Sequence, residues 1–184
     1  MNIMHCIRIY HAVLATLAIL AYLTGELGMV HAWLGYGVAL VIALRLLWAL
    51  SGKRMVGLMR FYPSFEGLNV GNLFTHPAIS KTLMLGIALS LLTATGTGIA
   101  MDKGKAIGLA DTPLVTSAYA DDKDREKGGE GNGEEGESLL AEAHELFANL
   151  MLLFVGMHVS YLVLFKFPLA KFMLFISKPT IKDK

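Results

Sequence analysis

Four long apolar stretches separated by polar breaks organise the chain: Ile9–Leu27, His31–Leu50, Ile79–Met101 and Leu139–Phe165. Each reaches the ~20 residues that a helix needs to cross the hydrocarbon core of a bilayer. Inside lipid every backbone N–H and C=O has to be satisfied within the protein, which leaves only helices or closed barrels. Barrel strands would alternate apolar and polar residues over about ten positions, and these runs do not alternate. The pattern therefore predicts an all-α integral membrane four-helix bundle with spans at 9–27, 31–50, 79–101 and 139–165. After the fourth span, Pro168 opens a stretch rich in Phe and Met, with Lys171 and Lys178 on its polar side. That composition predicts a C-terminal interfacial helix over 167–178.

Composition agrees with a membrane solvent. Of the 184 residues, 54% are hydrophobic and 17% charged, against roughly a quarter charged in a soluble domain. The first stretch carries a basic residue, Arg8, but is long for a signal-peptide core and is followed by no clear small-x-small site. It reads as a span. The single cysteine, Cys6, allows no intrachain disulfide and reads as a small buried apolar residue. No nucleic-acid partner is expected.

Lys and Arg set the expected orientation. Arg8, Lys53, Arg54, Arg60, Lys81, Lys166, Lys171, Lys178, Lys182 and Lys184 all fall on one side if four helices alternate. That side is expected to be the cytoplasm, with both termini there. Residues 102–138 then form an extracytoplasmic loop, periplasmic in a Gram-negative cell. Within it, Asp121–Glu137 holds eight acids, three bases, five glycines and no apolar residue. Such a tract cannot bury a core and is expected to be disordered. It serves either as a solvated linker or as an electrostatic lure for a basic partner. The Ser51–Thr75 segment, with Gly, Pro and aromatic residues, is expected to lie against the headgroups on the cytoplasmic side.

Six histidines remain. His144 and His158 are fourteen residues apart, so they share one helix face and stand ~21 Å apart along its axis. His11 enters the first span near the cytoplasmic end, and His31 opens the second at the other end. Depth therefore matches His11 with His158 on the inside and His31 with His144 on the outside. Ionisable groups within a membrane are rare and usually functional. Two imidazole pairs at two depths suit two b-type haems with bis-histidine ligation, in which filled axial positions leave the iron to change only its electron count. A zinc or iron centre would need its ligands at one point, and no Cys-x-x-Cys-His motif exists for covalent haem. Gly35, Gly156, Gly86, Gly96 and Gly98 are positioned to make room for flat rings. Arg45 lies fourteen residues after His31, on the same face at the inner level, and serves either haem propionates or the cytoplasmic interface. His5 is expected at the cytoplasmic surface, and His76, before Pro77, at the interface or as a helix cap.

With His11 in "RIYHAVLATLAILAYLTGE", His31 opening "HAWLGYGVALVIALRLLWAL", and His144 and His158 in "HELFANLMLLFVGMHVSYLVL", the chain resembles the bacterial cytochrome b561 proteins and the related b-type cytochrome subunit of nickel–iron hydrogenases. The resemblance covers all four spans. It implies a four-helix, two-haem electron carrier of the cytoplasmic membrane with His11/His158 and His31/His144 as axial pairs. It also implies exchange with membrane quinone and with a periplasmic redox partner such as a c-type cytochrome. An enzyme reducing quinone or oxidising superoxide by itself, and a non-redox membrane adaptor or transporter using its histidines for metal or protons, are the competing readings. Two features depart from the family pattern: the short interval from His11 to His31 and the glycine–acid insertion before the fourth span.

If the acidic insertion attracts a partner, deleting Gly128–Gly136 slows reduction of a basic redox protein, chiefly at low salt, and leaves cofactor content unchanged. Stopped-flow rates that are equal at every ionic strength would reduce it to a linker.

Overall fold

The computed structural model describes residues 3–50, 63, 76–109 and 132–174. Its helices are α1 (Ile3–Leu23), α2 (Met29–Leu50), α3 (Pro77–Asp102), α4 (Asn132–Phe165) and the short α5 (Phe167–Met173), with a 3-10 turn at Gly25–Leu27 between α1 and α2. Four segments are long and apolar enough to cross a membrane: His5–Leu23, Met29–Leu50, Pro77–Asp102 and Leu139–Phe165. The expected four-helix bundle is therefore present. The Ser51–Thr75 segment, apart from Pro63, and the tract from Asp121 to Gly131 lie outside the described residues.

Helix ends follow local chemistry. At the end of α1 the Thr24 hydroxyl donates to the Leu20 and Ala21 carbonyls at 2.8 and 3.2 Å, occupying acceptors that a helix terminus leaves open. The chain then reverses through Gly28 at φ +47°, a conformation that costs a residue without Cβ little. This is how so short an interval joins two spans. At the start of α3 the His76 side chain accepts from the Ala78 N–H at 3.2 Å, with Pro77 in the first turn. His76 is a helix cap.

Two boundaries differ from the hydropathy reading. Helix α1 starts at Ile3 and stops at Leu23, before the Glu26 turn. Helix α4 begins at Asn132, so the last six residues of the acidic tract are helical. A deletion of Gly128–Gly136 consequently trims the start of a helix as well as a linker. A short helix is present over Phe167–Met173, within the stretch expected to be an interfacial helix, and residues beyond 174 lie outside the described set.

Packing is densest between α3 and α4, followed by α1 with α2 and then α2 with α3. The reason is written on α3. Ala78, Thr82, Gly86, Ser90, Ala94 and Gly98 recur every four residues and so form one ridge of small residues that winds slowly around the helix. Three of them, Ala78, Ser90 and Ala94, are buried. Without a hydrophobic drive between helices in lipid, small residues that let backbones approach are what hold such an interface. At Gly86 the approach is so close that an added Cβ would stand 3.0 Å from the Phe154 ring of α4. Most large apolar side chains instead face outward, Leu50, Leu164 and Leu23 being over 70% exposed, as lipid contact requires.

Helix α5 lies against the N-terminal part of α1. The buried Arg8 guanidinium lies 4.4 Å from the Phe172 ring centroid, a cation–π contact that is stronger away from water. Lys171 sits over Phe167 at 4.5 Å on the same helix.

Gly86→Ala should cost about 1–3 kcal/mol by overpacking, more than the gain of up to ~1 kcal/mol in helix propensity. The measurement is thermal unfolding in detergent: Gly86→Ala lowers Tm, and adding Phe154→Leu recovers part of the loss. A stabilised single variant would contradict the close α3–α4 contact.

Candidate functional site

The distal half of the bundle, away from the termini, contains a cavity of about 300 Å³ reached by all four long helices. His31 and His144 both line it. Their ring centroids are 5.7 Å apart, with planes at 88°.

Each ring is held by its Nδ1 atom. His31, in the first turn of α2, places Nδ1 2.8 Å from the Ala21 carbonyl, one of those at the C-terminal end of α1. His144 on α4 places Nδ1 2.9 Å from the Ala94 carbonyl of α3 and 3.3 Å from the Thr97 hydroxyl. That hydroxyl in turn donates to Thr93 and Ala94 carbonyls at 2.9 and 3.0 Å. A carbonyl can only accept, so both Nδ1 atoms carry the proton and both Nε2 atoms keep a lone pair. Metal-binding histidines are oriented in this way, with the second nitrogen donating to a carbonyl or carboxylate.

The small face of α3 makes the His144 contact possible. At Gly98 an added Cβ would lie 3.1 Å from His144 Cε1 and 3.4 Å from its Nδ1. Gly35, Ala18, Ala21, Ala94 and Ala148 also line the cavity, keeping its walls apart. Gly96 and Gly156, like Gly35, have open space where a Cβ would stand, although only Gly35 of the three lines this cavity.

The second pair stands towards the other end. His11 is exposed on α1, and His158 is half-buried on α4; the two are near enough to interact electrostatically. The Nδ1 of His158 is buried and has no hydrogen-bond partner among the described residues. Leaving such a nitrogen unsatisfied is costly in apolar surroundings. Arg45 is half-buried on α2, with its guanidinium 5.8 Å from the Trp48 ring centroid and its charge felt at Tyr10, the neighbour of His11. His5 is exposed at the start of α1. Histidines thus form two pairs, and among the described residues no three His, Cys, Asp or Glu side chains converge on a point.

Several polar residues beside the cavity escaped the sequence reading. The Tyr36 hydroxyl donates to Asp102 Oδ2 at 2.9 Å, joining α2 to α3. The Tyr22 hydroxyl donates to Asn149 Oδ1 at 2.9 Å, joining α1 to α4. Thr97 supports His144. A tyrosine or asparagine in a span has many ordinary uses, and only the fold brings each to its partner. The regular spacing of small residues along α3 was a usable signal for where α4 comes closest.

Imidazoles facing one cavity inside a four-helix membrane bundle are suited to holding a metal-containing cofactor between helices. The chain belongs to the prokaryotic cytochrome b561 family, whose profile matches residues 5–175. No curated protein and no solved structure matches it. It is accordingly a multi-pass bacterial membrane protein, a b-type cytochrome of electron transport that binds b-type haem and works with redox partners.

The distal residues fit that group. His31 and His144 come from different helices, line one cavity with ring centroids 5.7 Å apart, and would be the residues that hold such a group there. The donor atoms have the correct tautomer, and the walls between the helices are glycine and alanine. At the proximal pair the buried, unsatisfied His158 nitrogen is the feature that calls for a partner.

Proposed function

We propose that the protein relays electrons across the bacterial cytoplasmic membrane through two b-type haems, each held by two histidines. His31 and His144 are the axial ligands of the distal haem, and His11 and His158 those of the proximal one. The observation that carries this reading is the distal geometry: two imidazoles from different helices, 5.7 Å apart, each locked by a carbonyl on Nδ1.

The haem supplies reversible one-electron exchange, and bis-histidine ligation keeps the iron from binding other molecules. The protein supplies rigidity. Ala21 and Ala94 carbonyls fix the orientation of the two distal rings. Thr97 holds His144 from a second direction. The closely packed α3–α4 pair keeps the ligand on α4 at constant depth. Arg45, at the proximal level, serves the propionates of the inner haem through charge-assisted hydrogen bonds.

His144 and His158 share one face of α4 ~21 Å apart along its axis, so the residues that would hold the two haems lie at two depths of one bundle, and the haems would supply one-electron exchange between those levels. Four crossings return the chain to its starting side, and the excess of Lys and Arg there supports a cytoplasmic location for both termini. The distal haem then faces the periplasm, where a soluble carrier such as a c-type cytochrome exchanges electrons with it. Membrane quinone is the other redox partner. The acidic segment before α4 offers a basic carrier an electrostatic approach.

In His144→Ala, one of two b-type spectral components is lost and haem content falls to about half, read by reduced-minus-oxidised difference spectra and pyridine haemochrome. His11→Ala removes the other component. If both variants abolish the same component, the pairing by depth is incorrect.

A further inference from the structure

The distal cavity contains an ionisable group that ligation does not use. Asp102, the last residue of α3, lines the cavity with His31 and His144. A carboxylate at this end opposes the helix dipole; the last turn of α3 itself holds no basic residue, and Lys103 follows as its C-cap. Its placement is nonetheless specific. Oδ2 accepts from the Tyr36 hydroxyl at 2.9 Å and from the Ala106 N–H at 3.0 Å. The first bond comes from α2, one residue beyond the cavity-lining Gly35, and the second from the turn that follows α3. Together they hold the carboxylate in one orientation, half-buried, where a charge is screened less than at the open surface.

We propose that Asp102, positioned by Tyr36, is an electrostatic tuner that biases the distal haem towards its oxidised state. This rests on the reading of His31 and His144 as the distal ligands. The electron balance is simple. Reduction adds one electron to the iron and lowers the charge of the site by one unit, so a fixed negative charge in the same cavity favours the oxidised form. No proton or further reactant enters. Asp102 touches neither ligand ring through any described hydrogen bond and acts through its field alone.

The test is a spectrally resolved redox titration of the full chain purified with its haems. Asp102→Asn keeps an oxygen acceptor for Tyr36 and Ala106 and removes the charge. It should raise the distal potential by about 59 mV, a tenfold shift in the oxidised-to-reduced ratio at fixed poise, and leave the proximal potential in place. Asp102→Glu, which restores the charge, should return the distal potential towards the parent value. Tyr36→Phe frees the carboxylate without removing it and should give a smaller upward shift. Should Asp102→Asn fail to assemble, the Tyr36→Phe shift decides by itself. An unmoved distal potential, or an equal shift of both haems, overturns the proposal. Finding fewer than two haems in the parent protein would instead strike at the ligand reading.

Discussion

Everything in this bundle depends on satisfying imidazole nitrogens where water is scarce. A histidine in a membrane interior has two ring nitrogens, and each must donate, accept or bind a metal. The distal pair resolves half of that requirement with the protein's own carbonyls, at Ala21 and Ala94. Using Nδ1 in this way leaves Nε2 for an iron. A single arrangement therefore keeps the ring from turning, sets the tautomer and directs a lone pair.

The division is possible only because the helices approach closely in the right places. The carbonyl that accepts from His144 belongs to Ala94, already within a hydrogen-bonded helix, and can be reached because its face of α3 has almost no side chains. Ala94 and Gly98 are the distal end of the same small-residue face that packs Gly86 against Phe154. Helix packing and cofactor chemistry thus share one sequence feature. The reversal at Gly28 has a parallel role, returning His31 to the open end of α1, where the Ala21 carbonyl is available. The short interval between His11 and His31 fits such a tight hairpin.

How much could be read from the chain varied with the range of the physics involved. Spans were legible because hydropathy over ~20 residues is a local property, and the shared face of His144 and His158 because helical geometry is fixed. The start of α4 was not, since Asn132–Glu137 has the composition of a linker and is helical only as the extension of a long span. Arg8 read as an orientation marker. Its burial on Phe172 depends on where α5 folds back, which no local pattern discloses. Tyr36 with Asp102, 66 positions apart, and Tyr22 with Asn149, 127 apart, are contacts of the same kind. Their residue types were visible, but their partners were not.

The central claim is that the histidines clamp iron porphyrins in pairs, with both axial positions filled. Haem stoichiometry of the membrane-purified chain, combined with carbon monoxide difference spectroscopy on the reduced protein, tests it most directly. The account predicts about two b-type haems per chain and no carbon monoxide adduct, because bis-histidine ligation leaves no open position. A single haem, or a reduced protein that binds carbon monoxide stoichiometrically, would contradict it.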